Sequence, residues 1–247
     1  MTMDENLSRG AEEIYSNTPL DEIPWNNVQP PELLVELVDS GQVKPGKALD
    51  LGCGLGNYAI WLAGKGFDVV GVDASPTAIK IAKRNARLRQ GATPWQAKRK
   101  KGKCKFLVAD LTGEWPDLGS PREINNLRIR SKNKPLISRG KQFDFVYDWG
   151  LLHHIMPENR DKYIENVHRV LKPKGNYLSI CFNEKDTAFE GAGKYRQTSL
   201  GTAVYLSSEK ELRELFGRFF KIIDFRVLEI QGKVMTHIFN YCFMENR

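Results

Sequence analysis

Three glycines at alternate positions close one apolar run and open the next segment: Leu49-Asp50-Leu51-Gly52-Cys53-Gly54-Leu55-Gly56-Asn57. A second apolar run, Val69-Val70-Gly71-Val72, ends in Asp73, 21 residues after Gly52. The pattern is a strand, a glycine turn, a helix and a second strand ending in an acid, which is the opening of a nucleotide-cofactor site. Glycines there let the backbone turn tightly and come close to a ligand, at φ values that other residues avoid. A carboxylate at the tip of the second strand can accept hydrogen bonds from ribose hydroxyls.

The spacing separates cofactors. A dinucleotide turn needs G-x-G-x-x-G, and Asn57 stands where its third glycine would be. The chain reads G-x-G-x-G, preceded by Asp50. A pyrophosphate seated on helix N–H groups has no use for a neighbouring carboxylate. A ligand with an ammonium group and a cationic centre does, and S-adenosylmethionine carries both, with an adenosine for Asp73 and a carboxylate for the backbone of the turn. The segment resembles the first two motifs of class I S-adenosylmethionine-dependent methyltransferases.

Coarse secondary structure agrees. Pro30-Pro31-Glu32 opens a helix through Val38, and Lys47–Leu51 is the first strand. A helix over 57–65, burying Ile60, Trp61 and Leu62, leads to strand two at Asp68–Asp73. Ser75 caps the next helix, with Pro76 as its first residue. Strands three to five are expected at Cys104–Asp110, Phe143–Asp148 and Asn176–Phe182. A helix over Asp161–Leu171 and the turn Lys172-Pro173-Lys174-Gly175 precede the fifth strand. After a helix capped by Ser207 or Ser208, a hairpin turning at Gln231-Gly232-Lys233 closes the pattern. The expectation is an α/β, Rossmann-like sheet of seven mostly parallel strands, with an antiparallel C-terminal hairpin and helices on both faces. Gly52–Gly56, Asp73, Asp110 and Asp148 would share the rim at the strands' carboxyl ends, where such sheets bind ligands.

The length of 247 residues suits a single domain, with an N-terminal lid or helix over residues 1–40 and a basic insertion over 111–142. The net charge of +7 is concentrated: residues 98–141 carry thirteen Lys and Arg against four acids, so the rest of the chain sums to −2. No apolar run approaches the roughly 20 residues of a membrane helix, and the N-terminus, acidic and polar, is unlike a signal peptide. The reading is cytoplasmic, without a membrane partner. Cys53, Cys104, Cys181 and Cys242 lie far apart with no C-x-x-C pair, so neither a metal nor a disulfide framework is expected.

Further segments narrow the resemblance. Ile23-Pro24-Trp25-Asn26, Gly71-Val72-Asp73-Ala74-Ser75-Pro76, Tyr147-Asp148-Trp149-Gly150-Leu151-Leu152-His153-His154 and Arg160-Asp161-Lys162-Tyr163 are similar to the branch containing thiopurine, thiol, halide and tellurite-resistance methyltransferases. The likeness runs over about 24–110 and 143–245, and the 98–141 segment stands outside it. It implies that Asp50, Gly52, Cys53, Gly54 and Gly56 hold the methionine part of the cofactor. Asp73 would bind the ribose, Ala74 would pack on the adenine, and Asp110 and Leu111 would flank it. Trp25 would belong to a lid.

Methyl transfer from a sulfonium is an in-line displacement, and a base is needed only where the nucleophile must shed a proton. Asp148, Trp149 and His153 follow the fourth strand, where an acceptor would meet the methyl group. Asp148 could orient or deprotonate the acceptor, Trp149 could wall it, and His153 could serve as base; Asp148 also counts among the expected cofactor contacts. The leading expectation is methylation of a small molecule on sulfur or a similarly soft atom, leaving S-adenosylhomocysteine. A second is an RNA or protein methyltransferase that docks its substrate through the basic 98–141 segment. A third, a silent cofactor-binding scaffold, sits poorly with intact Asp50, Asp73 and Asp110.

Overall fold

The computed structural model describes residues 3–90, 102–113, 115, 142–189 and 191–247. Most of the basic 98–141 segment therefore lies outside the described residues.

Seven strands form one sheet in the order β3-β2-β1-β4-β5-β9-β8. Strands β1 (Lys47–Leu51), β2 (Asp68–Asp73), β3 (Cys104–Val108), β4 (Phe143–Trp149) and β5 (Leu171–Phe182) run parallel. β8 (Phe220–Gln231) and β9 (Thr236–Asn246) form the antiparallel hairpin, and β9 inserts between β5 and β8. The chain reverses direction along the sheet beside β1, so the carboxyl ends of β1 and β4 splay into a crevice.

Helices α2 (Glu32–Asp39), α3 (Asn57–Gly64) and α4 (Pro76–Gln90) cover one face. Their Leu34, Leu37, Leu62, Ile79 and Ala82 pack on Ala48, Val69, Phe145 and Leu178. Helices α5 (Pro157–Val170) and α6 (Glu209–Gly217) cover the other, where Tyr163, Val167 and Phe216 meet Leu49, Val146 and Tyr177. The central parallel strands are thus buried on both faces, which is why they read as nearly unbroken apolar runs, while the edge strand β8 alternates exposed and half-buried residues.

Several boundaries differ from expectation for local reasons. Helix α5 starts at Pro157, because proline is preorganised for a helix's first turn. β3 stops at Val108, leaving Asp110 in the following bend, where its carboxylate holds Thr112. The expected turn at 172–175 survives as an irregularity within β5: Lys174 has φ 65°, and the register with β4 shifts between Phe143 and Phe145. Trp61 is half-buried rather than buried. Ser208, not Ser207, caps α6, in a reciprocal capping box with Glu211. Helix α1 (Met3–Asn17) falls within the N-terminal lid or helix expected over 1–40, without bounds having been set for it, and the short hairpin of β6 (Tyr195–Gln197) and β7 (Ala203–Tyr205) was not foreseen.

Candidate active site

The glycine turn is pinned by its neighbour strand. Gly52 N and Cys53 N both donate to Val72 O, at 2.8 and 2.9 Å. Gly54 N donates to Asp73 Oδ2 at 2.8 Å, so the acid at the tip of β2 helps shape the turn after β1. Gly52, Gly54 and Gly56 have φ of 73°, 49° and 75°, a region that side chains disfavour. Gly56 begins α3 without any side-chain cap, which leaves the first-turn N–H groups of the helix to an anion.

Asp50 lies beneath this turn, 3% exposed, and its Oδ2 has no hydrogen-bond partner. Tyr147, its register partner on β4, sets a fully buried hydroxyl against the same carboxyl. Burial pushes the Asp50 carboxyl up to about 7; Tyr147 pulls the other way, and Asp73 and Asp148 add to the rise. An enclosed carboxylate oxygen without a donor is costly unless a ligand supplies one. An ammonium group fits that need.

Asp73 is buried, with Oδ1 accepting from Ser75 N at 2.9 Å and Oδ2 from Gly54 N, and burial raises its pKa. Each oxygen keeps a second lone pair. Ala74 is half-buried and Leu111 buried. Asp110 is exposed, with both bonds to Thr112 taken by Oδ1. Burial pushes the Cys53, Cys104, Cys181 and Cys242 thiols up, so none of them is an activated nucleophile.

The cover is more elaborate than the sequence suggested. Trp25 Nε1 donates to the Tyr15 hydroxyl at 2.9 Å, with the two rings edge to face. That hydroxyl would stand 2.7 Å from a Cβ on Gly54, which places it directly over the turn. Tyr15 arrives on α1, which the Glu12 carboxylate fastens to the start of α4. Glu12 accepts from Thr77 N at 3.1 Å, Thr77 Oγ1 at 2.6 Å and the Ser75 hydroxyl. Asn57, the residue that breaks the dinucleotide pattern, donates to Asn26 Oδ1 and Asn27 O, each at 3.1 Å. It thereby ties the segment after Trp25 to the head of α3.

Past β4 the geometry departs from expectation. Asp148 is not on the rim: it is wholly buried and turned toward α5. It accepts from the Tyr177 hydroxyl, Ser179 Oγ at 3.2 Å, Leu152 N at 3.3 Å and the Tyr163 hydroxyl at 3.5 Å. Burial lifts it to about 6, against those donors. Trp149 points to the opposite face, half-buried and edge-on to Tyr58 of α3 at 6.3 Å. His153 is buried, stacked on Phe182 at 4.0 Å, and receives the Phe182 N–H at 3.4 Å. Burial holds its pKa well below the usual imidazole value, so it is neutral. His237, by sequence an ordinary strand residue, has its Nδ1 3.1 Å from Asp186 Oδ2 among Phe182, Phe189 and Phe239. A shallow hollow of about 200 Å³ between Val43, Asp144 and Gly175 lies at the opposite rim, away from these groups.

Strand order, turn and cover together define a nucleotide-type cofactor site in a doubly wound sheet. Residues 27–222 match the methyltransferase domain family, and the chain belongs to it. It is an S-adenosylmethionine-dependent methyltransferase. The chain is 26% identical over 226 residues to 2-heptyl-1-hydroxyquinolin-4(1H)-one methyltransferase of Mycobacteroides abscessus, covering 90% of this chain and 81% of that one. It is 26% identical over 159 residues to thiocyanate methyltransferase 1 of Brassica oleracea, covering 64% and 56%. The chain thus spans little more than half the length of that second relative. A solved structure of 1,6-didemethyltoxoflavin-N1-methyltransferase from Burkholderia thailandensis, with S-adenosylhomocysteine bound, shares the fold. Its TM-score is 0.64 at 16% identity, over 100% of this chain and 91% of that one. No helix among the described residues is long and apolar enough to cross a membrane.

Proposed function

We propose that the chain methylates a small molecule on sulfur or another soft, readily ionised atom. The observation that carries this reading is the enclosure of Asp148 and His153. The carboxylate and the imidazole nearest the end of β4 are occupied inside the fold and are not placed to take a proton, which favours an acceptor whose nucleophile ionises readily. Thiolates and thiocyanate meet that condition near neutral pH. Of the relatives named above, one is by its name a thiocyanate methyltransferase and the other a methyltransferase of a hydroxyquinolinone, both small molecules.

Bound S-adenosylmethionine supplies the electrophilic methyl group. Asp50 would take its ammonium group, the Gly52–Gly56 backbone and the uncapped start of α3 its carboxylate, and Asp73 its ribose. Ala74, Asp110 and Leu111 would enclose the adenine. Tyr15 and Trp25 would close over the methionine end and exclude water, and Trp149 with Tyr58 would wall the acceptor. Holding the two partners in line is the main catalytic contribution for such a reaction.

The basic segment favours a second reading, in which RNA or protein docks through 98–141. Incubation with cofactor labelled at the methyl carbon separates the two. Thiols, thiocyanate and halides are offered in one reaction, total RNA and protein in another. Label in small products supports the proposal; label confined to the macromolecular precipitate overturns it. Neutralising the lysines and arginines of 98–141 should leave small-molecule turnover intact.

A further inference from the structure

We infer that His237 and Asp186 form a proton-accepting pair for a planar aromatic acceptor bearing an ionisable hydroxyl or thiol, held against Phe182, Phe189 and Phe239. This deepens the small-molecule reading and rests on it.

The argument begins with position. β9 runs antiparallel to β5, pairing Phe239 with Phe182, so His237 stands just beyond the carboxyl end of β5 on the cofactor side of the sheet. Asp186, on the loop that leaves β5, is fastened by backbone bonds: its Oδ2 accepts from Ile238 N at 2.8 Å and its Oδ1 from Ala188 N at 2.8 Å. Burial opposes its charge, yet the bonds from His237, Ala188 and Ile238 together hold its pKa below the usual carboxylate range. An ionised carboxylate on Nδ1 sets the tautomer, places the lone pair on Nε2 and stabilises the imidazolium that follows proton uptake. Nε2 makes no hydrogen bond among the described residues, and the His237 side chain is 18% exposed against 1% for Asp186.

The surroundings select the ligand. Phe189 lies nearly parallel to the His237 ring at 5.0 Å, and Phe239 to Phe182 at 4.8 Å. Phe189, Phe239 and His237 are each half-buried, so their faces are not used up by the core. The exposed parts of this cluster offer an apolar aromatic surface against which a flat ring can lie. The cluster also connects to the methyl-transfer end. Phe182 stacks on His153, whose ring would touch a Cβ on Gly150 at 3.4 Å, and neighbouring Leu151 packs on Gly52. One ring contact of 5.1 Å joins Phe182 to His237, so an unbroken chain of contacts runs from the glycine turn to the imidazole. Lys233, at the hairpin tip, donates to Ile23 O at 3.0 Å and brings the hairpin against the segment that carries Trp25. Asp186 is the charged group paired with His237, and His237, His154 and Arg160 all lie close enough to His153 to oppose its protonation. Burial keeps both other histidines neutral, leaving His237 as the accessible imidazole.

In the step, the acceptor oxygen or sulfur bonds to the methyl carbon as the carbon–sulfonium bond breaks, its electron pair returning to sulfur. The acceptor's proton passes to His237 Nε2 and then to water.

The test is a series of hydroxyl- and thiol-bearing quinolines and benzenes of graded acidity, with 2-mercaptoethanol and thiocyanate for comparison, on the intact protein with cofactor. Wild type should prefer the aromatic acceptors. His237→Gln should lose on the order of a hundredfold in kcat/KM for the least acidic hydroxyl, as expected for a missing general base, with the loss shrinking as acidity rises. Phe189→Ala should instead raise KM for aromatic acceptors alone, and it carries the test should the histidine variant fail to fold. Without cofactor, 4-nitrophenol should bind wild type as its coloured phenolate, and His237→Gln should bind it uncharged. A loss independent of acidity, or turnover of aliphatic thiols and thiocyanate with no aromatic preference, overturns the pair's role while leaving the small-molecule reading in place. Label found solely in RNA or protein overturns both.

Discussion

Trp25 and Tyr15 meet through a single 2.9 Å hydrogen bond above the glycine turn, and Glu12, one helical turn before Tyr15, anchors their helix to α4. Because Ser75 bonds both Glu12 and Asp73, the cover and the acid proposed to bind the ribose belong to one hydrogen-bonded network. Glu12→Gln should therefore weaken cofactor binding by about tenfold, the scale of one charge-assisted hydrogen bond, without lowering kcat at saturation. Isothermal titration and limited proteolysis of α1 with and without cofactor would check this.

Asp50 offers the sharpest pH signature. Its carboxyl is raised to about 7 in the ligand-free fold, from 3.8, so the folded state holds a proton that the unfolded chain has released. The stability it contributes is full below 3.8 and is lost as pH rises toward 7; Asp148, raised to about 6, acts in the same direction. Pairing with the cofactor's ammonium group requires the ionised form. Cofactor affinity should fall by about tenfold for each pH unit below 7, with proton release on binding, and the thermal shift given by cofactor should be larger at pH 8 than at pH 6. Titration in buffers of different ionisation enthalpy measures both.

Asp50→Asn removes the uncompensated buried charge. It should leave the melting temperature unchanged or higher while cofactor affinity falls by at least tenfold. Asp73→Ala should also bind cofactor poorly, but with some loss of stability, because Gly54 N and Ser75 N lose their acceptor. Gly54→Ala should bind least well of the three, since its φ of 49° and the nearby Tyr15 hydroxyl both oppose a side chain.

For Asp148 the expected outcome is structural. Tyr177→Phe takes one donor from a fully buried carboxylate and should cost about 1–3 kcal/mol of stability, with activity per folded molecule retained. Denaturant unfolding alongside an active-site titration would separate the two. A loss of kcat at unchanged stability would return Asp148 to the chemistry.

The parts legible in the sequence are those whose cause is local. β1, β2 and the glycine turn show as two apolar runs and three glycines, and Ser75-Pro76 announces α4 by a cap and an N-terminal proline. Asp148 was legible too, had the alternation along β4 been followed. Tyr147 and Trp149 face α3, so the residue between them faces α5. Helix α1 is partly legible, since Leu7, Ala11, Ile14 and Tyr15 recur at helical spacing, but its anchoring is not: Glu12 and Thr77 are 65 residues apart. The His237–Asp186 pair spans 51 residues and depends on β9 reaching back across the sheet. No window of sequence contains that relation.

The insertion of β9 between β5 and β8 bears on how the enzyme comes into being. During synthesis β8 emerges first and must wait, and the free edge of β5 stays open until the last strand slides in. His237 and Phe239 ride on that strand. A nascent chain could fold its glycine turn and bind cofactor early, yet on the role proposed for His237 it would lack its acceptor site until β9 had docked. Catalysis would begin only in a finished sheet, and a chain stalled before β9 would sequester cofactor without consuming it.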